Sequence, residues 1–166
     1  MIVRLSKDEV QFCTQAAVQR WLIKFGSTDR PNYAEGKANG KLEHELVASI
    51  RTLVAEWAVA KHYNLTWTFP VYPNDLHGKR SALPDVGFNG EVRTIRTQSG
   101  IPFWTKDAHR VIYGAKVLDS EYFQEVKLFT PFNASEAMVD EYRDESIQGW
   151  RMPIHLIDSA CTTPKA

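Results

Sequence analysis

The chain has 166 residues, 43% of them apolar and 24% charged, a balance expected of one globular domain with a true core. It contains no run of eighteen apolar residues and no apolar stretch behind the basic residue of "MIVRLSKDEV", so neither a membrane helix nor a secretory leader is expected, and the expected location is the cytoplasm. Cys13 and Cys161 are too few for a structural zinc and too far apart in sequence for a disulfide framework, so reduced thiols are expected. The net charge of zero hides a division. Residues 75 to 116 set seven Lys and Arg against Asp75, Asp85, Glu91 and Asp107, a balance of +3, whereas residues 119 to 145 balance at −6. A basic stretch around acids suits a phosphate-binding, metal-dependent site, and equally a solvated sheet face opposite a solvated acidic edge.

The first predicted helix covers residues 6 to 25. Ser6 with Glu9 forms a capping box, Gly26 ends it, and Val10, Cys13, Ala17, Trp21 and Phe25 make an apolar stripe. Residues 26 to 40 read as a loop. A longer helix is predicted over 41 to 63, where Leu42, Leu46, Ile50, Leu53, Trp57 and Ala60 recur at spacings of three and four. Strand character begins with "LTWTFPVYP" and ends at Pro73, and "NDLHGKRSALP" is a loop. "DVGF" and "EVRTIRT" read as strands joined by an Asn89-Gly90 turn, the strongest short hairpin signal. "RVIYGAKVL" and "YFQEVKLFTPF" are two further strands, "ASEAMVDEYRDES" a short acidic helix or loop, "IQGWRMPIHLI" a last strand, and residues 158 to 166 a loose tail. Two helices followed by strands make the expected class α+β, a mixed and mostly antiparallel sheet flanked by helices.

Several motifs fail. "GKANGK" has three residues between its glycines where a phosphate loop needs four, and Leu42 stands where the magnesium-holding hydroxyl belongs. His44-Glu45 lacks the second histidine of a zinc-protease helix, and the five histidines show no ligand spacing. Oxygen chemistry remains. Magnesium takes one or two carboxylates plus waters, and phosphodiester hydrolysis uses such an ion to activate water and neutralise phosphate charge. Asp85, Glu91 and Arg93 around the predicted hairpin, with Glu56 from the long helix, supply the residue types.

The stretch "PDVGFNGEVR", residues 84 to 93, resembles the signature of the PD-(D/E)XK nuclease superfamily: Pro84 and Asp85, then Glu91, Val92 and Arg93. The wider pattern is similar to small phage and prophage proteins of nuclease type. In that branch a helix reading Gly-Glu-x-Ala-x-Ala-x-x-Leu-Gly-Leu precedes Asp-Val-Gly, a Val-Arg-Thr strand, an Asp-containing turn, two strands and a closing Gly-Trp. The corresponding stretches here are "AEWAVAKHYNL", "DVG", "EVRT", "IPFWTKDAHR", the strands at 110 to 132, and "GW" at 149 to 150. The resemblance covers about residues 36 to 152 of a single domain, with the helix in residues 1 to 26 outside it.

The resemblance implies a restriction-endonuclease-like core and a Mg2+- or Mn2+-dependent deoxyribonuclease, phage-encoded and acting on DNA in the host cytoplasm, with homodimers as a means of cutting both strands. It implies Asp85, Glu91 and the Val92 carbonyl as metal ligands and Glu56 as the helical acid that holds a water or a second ion. Arg96 and Lys106 would contact phosphate, with Lys79, Arg80 and Arg110 as weaker contacts. Among the aromatics, Trp104 beside Lys106 is the candidate for stacking on unpaired bases, while core packing suits Trp67 and Phe69.

Two departures stand against hydrolysis. Arg93 occupies the usual lysine position, and arginine can stabilise charge but cannot act as a base. A strict two-residue turn would also pair Asp85 with Thr94 and point Asp85 away from Glu91, unless a bulge or longer loop at Gly87 or Gly90 intervenes. A nucleic-acid-binding protein without hydrolysis, and a phage protein that engages a host protein through its acidic segment, are the alternatives. Residue by residue, Glu91 and Arg93 could be a plain ion pair, Asp85 a turn cap, and Glu56 a solvated partner of Lys61 or Arg51.

Overall fold

The computed structural model describes residues 1–24, 42–68, 83–95, 100–118 and 121–158. Strand β1 (Ile2–Arg4) leads into helix α1 (Lys7–Lys24). The capping box forms as expected: Ser6 N donates to Glu9 Oε2 at 2.7 Å, and Glu9 N to Ser6 Oγ at 3.2 Å. Helix α2 (Leu42–Tyr63) packs along α1. Its apolar stripe widens between residues 53 and 60, where Leu53, Val54, Ala55, Ala58, Val59 and Ala60 are all buried. Cys13, Ala16 and Ala17 answer from α1. Alanines on both helices bring the backbones close together, and Cys13 Sγ lies 3.7 Å from the Leu53 carbonyl. Burial pushes that thiol up to about 12, so Cys13 is a packing residue in its protonated form. Cys161 and the loop expected at 26 to 40 lie outside the described residues.

The remaining strands are β2 (Gly90–Thr94), β3 (Ile101–Phe103), β4 (Val111–Val117), β5 (Glu125–Leu128), β6 (Phe132–Asn133), β7 (Arg143–Asp144) and β8 (Gly149–Met152). They form two sheets. The larger runs β1-β5-β4-β2, with β6 also on β4, and the smaller runs β3-β8-β7. All pairings are antiparallel except β2 with β4, which runs parallel with Glu91 beside Ile112 and Arg93 beside Gly114. A parallel pair needs a crossover. Here β3 and the 3-10 turn Thr105–Asp107 provide it, carrying the chain into the second sheet and back.

Alternation along the strands sorts two cores. Val92, Ala115, Val126 and Leu128 face the helices and join Leu53, Val59 and Cys13. Ile112 faces the other way and joins Ile101, Phe103, Phe129 and Met152 of the small-sheet side. The order of layers is therefore helices, large sheet, small sheet, an α+β architecture as expected. Among the described residues no helix is long and apolar enough to cross a membrane.

Three expectations are corrected. The last strand stops at Met152 instead of running to Ile157: Pro153, without an N–H, starts helix α4 (Ile154–Ile157). The segment "YFQEVKLFTPF" breaks into β5 and β6, because Thr130 N leaves the sheet for the Ile157 carbonyl and the register on β4 slips by one residue between Leu128 opposite Ala115 and Phe132 opposite Ile112. The Asn89-Gly90 hairpin turn is absent. Residues 87 to 89 form the turn, Gly90 already belongs to β2, and Val86 makes only isolated bridges to Trp67 and Gly90. Gly87 sits at φ +59°, where a side chain would be strained, and that conformation lets the turn close one residue earlier than the sequence suggests. The acidic segment forms the short helix α3 (Ala134–Ala137) and two 3-10 turns flanking β7, and part of its charge is spent internally: Glu125 pairs with Arg4 and Asp144 with Arg151.

Candidate functional site

The site is built where β2 forms an edge of the larger sheet. Val111 N donates to the Asn89 carbonyl and Ile95 N to that of Ala115, so the odd residues of this stretch bond to β4. The amides of Gly90 and Val92 consequently face the opposite edge. Asp85 occupies that edge. Its own N–H and that of Val86 both donate to the Gly90 carbonyl, at 2.8 and 3.3 Å, so two residues oppose one. This bulge, with the longer turn, swings the Asp85 carboxylate into the edge of the sheet, where Oδ2 accepts from Val92 N at 2.8 Å. The strict two-residue hairpin whose parity would point Asp85 away from Glu91 is therefore not formed.

Two groups of charges flank Asp85. On the helix side, Glu56 is only 3% exposed, Oε2 accepting from Trp67 Nε1 at 3.0 Å and Oε1 lying 3.7 Å from Arg20. It is neither solvated nor paired with Lys61, which instead donates to Glu9 at 2.8 Å. On the small-sheet side, Glu91 and Arg93 share a face of β2, with Glu91 Oε1 2.9 Å from Arg93 Nη1. Arg93 Nη2 reaches Asp107 Oδ2, also at 2.9 Å, and the same oxygen accepts from Trp104 N at 3.0 Å. Arg93 thus bolts β2 to the 3-10 turn, its Nε buried without a hydrogen-bond partner and its guanidinium 5.2 Å from the Trp104 ring centre.

The acids hold their protons against this basic company. Burial pushes Glu56 up to about 8, and the neighbouring Asp85 charge adds to it against the opposing pull of Arg20 and Trp67. Burial likewise pushes Glu91 up to about 7, with Asp85 again adding and Arg93 opposing. Asp85 is raised by burial too, although the Val92 N–H and the charges of Arg93, Arg20 and Arg110 favour its ionised form. Burial raises all three carboxyls, and the Asp85 charge raises Glu56 and Glu91 further, which ties them into one electrostatic unit.

They do not form one ligand shell. Among the described residues, no three His, Cys, Asp or Glu side chains form a group that could hold a metal ion. The layer order gives the reason: Glu56 lies on the helix face of the sheet and Glu91 on the other, with Asp85 at the edge between them. A single ion shared by all three acids is thus not the observed arrangement. Asp85 and Glu91, with the Val92 carbonyl on the same open edge, are the donors nearest in kind to a two-carboxylate magnesium site. Asp85 Oδ1 and Glu91 Oε2 take no part in the contacts described above.

The other expected residues separate. Arg110 is 4% exposed and its charge acts on Asp85 and Glu91, so it serves the acids and not an open phosphate surface. Lys106 is exposed, 5.8 Å from the Trp104 ring centre. Trp104 is half-buried, its Nε1 donates to the Ile147 carbonyl and its ring already meets two cations, which leaves it a poorer stacking platform than expected. Lys79, Arg80 and Arg96 lie outside the described residues, as does Phe69. Sequence reading missed Arg20 and Asp107. Arg20 stands three and seven positions beyond Ala17 and Cys13, a spacing that already placed it on the buried face of α1. Asp107 was visible only as a polar turn residue. Comparison with protein-family models, with curated proteins and with solved structures returns no match.

Proposed function

We propose that the protein is a metal-dependent nuclease that hydrolyses DNA phosphodiester bonds, a small phage-type member of the PD-(D/E)XK superfamily with a restriction-endonuclease-like core. The observation that carries this reading is Asp85 at the sheet edge, fixed by the Val92 amide and sharing its field with Glu91 and Glu56, all three with raised proton affinity. Such raised affinities cluster where a cation or a reaction proton is handled. The donors are hard oxygens, which suit Mg2+ or Mn2+. Asp85, Glu91 and the Val92 carbonyl would hold the ion. The chemistry such an ion supplies is a more acidic water and neutralised charge at the scissile phosphate. Glu56, whose proton affinity lies near neutral pH, is suited to take up a proton on the helix side. Arg93 carries no labile proton, so its part is to hold Glu91 and Asp107 and to steady negative charge. Lys106 is exposed for a phosphate contact.

The test is purified protein incubated with plasmid and with single-stranded DNA, in Mn2+, Mg2+ or chelator. Nicking that needs the metal and disappears in Asp85→Asn is the expected result. Metal-independent nicking, or nicking that persists in Asp85→Asn, refutes it. A second reading is favoured by one observation: Arg93 is committed to two acids and closes over Glu91. On that reading the chain binds nucleic acid without cutting it, and binding is salt-sensitive and indifferent to chelator.

A further inference from the structure

Phe88 is the most exposed large apolar side chain among the described residues, at 96%. It is at the tip of the turn whose two stems carry Asp85 and Glu91, three positions from each. Exposed aromatics at loop tips usually come with a mobile backbone, but this turn is pinned. Gly87 N donates to the Thr66 carbonyl at 2.7 Å and Gly90 N to that of Val86 at 3.0 Å, while the Asn89 carbonyl accepts from Val111 N at 3.1 Å. Asn89 Nδ2 also donates to the His109 carbonyl at 3.3 Å. That bond holds the tip of the turn beside the segment bearing Lys106 and His109, both exposed. A rigid mount therefore presents a bare aromatic ring on the turn between the two acids, next to the segment bearing Lys106 and His109.

We propose that Phe88 is a base-stacking residue for single-stranded nucleic acid, setting which bases lie beside the phosphate at the acid site. The inference rests on the nuclease reading for the role of that phosphate. Three residues span at most about 10 Å, so Phe88 lies within the reach of about three stacked nucleotides at about 3.4 Å each from either acid. A strand whose phosphates follow Lys106 and His109 can thus lay a base on Phe88 while a backbone phosphate stands at Asp85 and Glu91. Single strands are favoured because their base faces are open, whereas a duplex must first unstack. The same ring would suit a contact between two copies of the chain, and the test separates the two occupants.

The test measures binding of fluorescein-labelled single-stranded DNA and of the matching duplex in chelator, for wild type, Phe88→Ala and Phe88→Trp. A second single strand carries 2-aminopurine as a stacking reporter. Phe88→Ala is expected to weaken single-strand binding about 5- to 150-fold and to abolish 2-aminopurine quenching. Phe88→Trp is expected to retain affinity, with its indole emission quenched on binding. Duplex affinity is expected to be lower and insensitive to residue 88. Equal single-strand affinity in wild type and Phe88→Ala overturns the proposal, as does a wild-type dimer that Phe88→Ala dissociates without loss of DNA binding. The nuclease reading fails separately. If no metal supports cutting but Phe88→Ala still loses binding and quenching, stacking stands and hydrolysis falls. If cutting is abolished by Asp85→Asn but its KM is indifferent to Phe88→Ala, hydrolysis stands and stacking falls.

Discussion

Replacing Glu56 by glutamine isolates one proton in the buried acid unit. Glu56 is held up to about 8 and Glu91 to about 7, against 4.5 for both in their ordinary state. In the unfolded chain both ionise near that ordinary value. Between about pH 5 and pH 7 the folded protein therefore carries roughly two more protons than the unfolded one, with Asp85 acting in the same direction. An excess of protons on the folded side makes stability fall as pH rises. The contribution is whole below about pH 4.5, shrinks steadily above it, and is gone once the pH has risen through about 7 for Glu91 and about 8 for Glu56. Each proton is worth about 1.4 kcal/mol per pH unit, so the two together give a slope of nearly 3 kcal/mol per pH unit. Glu56→Gln keeps an oxygen for Trp67 Nε1 but removes one titration. Its slope should be shallower by about 1.4 kcal/mol per pH unit, a difference that accumulates to on the order of 4 kcal/mol by pH 8. Urea unfolding at a series of pH values in chelator measures both slopes, and the histidines cancel in the comparison. Parallel slopes for wild type and Glu56→Gln would mean that Glu56 ionises as in water, and the account of the site as a coupled acid unit would be wrong.

Asp85→Asn should retain the fold by circular dichroism while Mn2+-dependent plasmid nicking drops at least about 100-fold. Nicking by the wild type in Mn2+ should rise with pH through about 7, where Glu91 gives up its proton, and metal addition to a weakly buffered solution should release protons measurable by pH-stat. Arg93→Ala leaves Glu91 and Asp107 without their cation and should cost about 3–5 kcal/mol in urea unfolding at pH 8, part of it recovered by Arg93→Lys. Gly90→Ala would bring a Cβ within 2.6 Å of Val86 Cγ2 and 2.7 Å of the Val86 carbonyl. It should cost about 1–3 kcal/mol, with nicking lost in step because the Asp85 bulge is displaced.

What the sequence disclosed follows the strength of each local signal. The two helices were legible because apolar spacing and the Ser6–Glu9 box act within a few residues. Class α+β followed from element order. The hairpin was misjudged because Asn-Gly is a strong local preference, yet Gly87 offered a competing left-handed position and the bridge from Val86 to Trp67 favoured it. Phe88 was read as a strand residue for the same reason, which concealed the most exposed aromatic near the site. Asp85, Glu91 and Glu56 were singled out from residue type and resemblance. That they lie on two faces and an edge depended on the parallel pairing of β2 with β4, a long-range choice that periodicity cannot encode. Arg20 and Asp107 were overlooked because their meaning comes only from partners distant in the chain: Glu56 for one, Arg93 for the other.

The pairing of β1 with β5 has a kinetic consequence. Arg4 and Glu125 are 121 positions apart yet meet at 3.1 Å, and Ile2 stands opposite Lys127. On a ribosome the helical hairpin of α1 and α2 emerges before the strands that cover its apolar side, β2, β4 and β5, which start 27, 48 and 62 residues after α2 ends. Until then Leu53, Val59 and their neighbours have only each other for shelter. Refolding from denaturant is expected to be limited by the capture of β1 by β5, an interval in which aggregation competes.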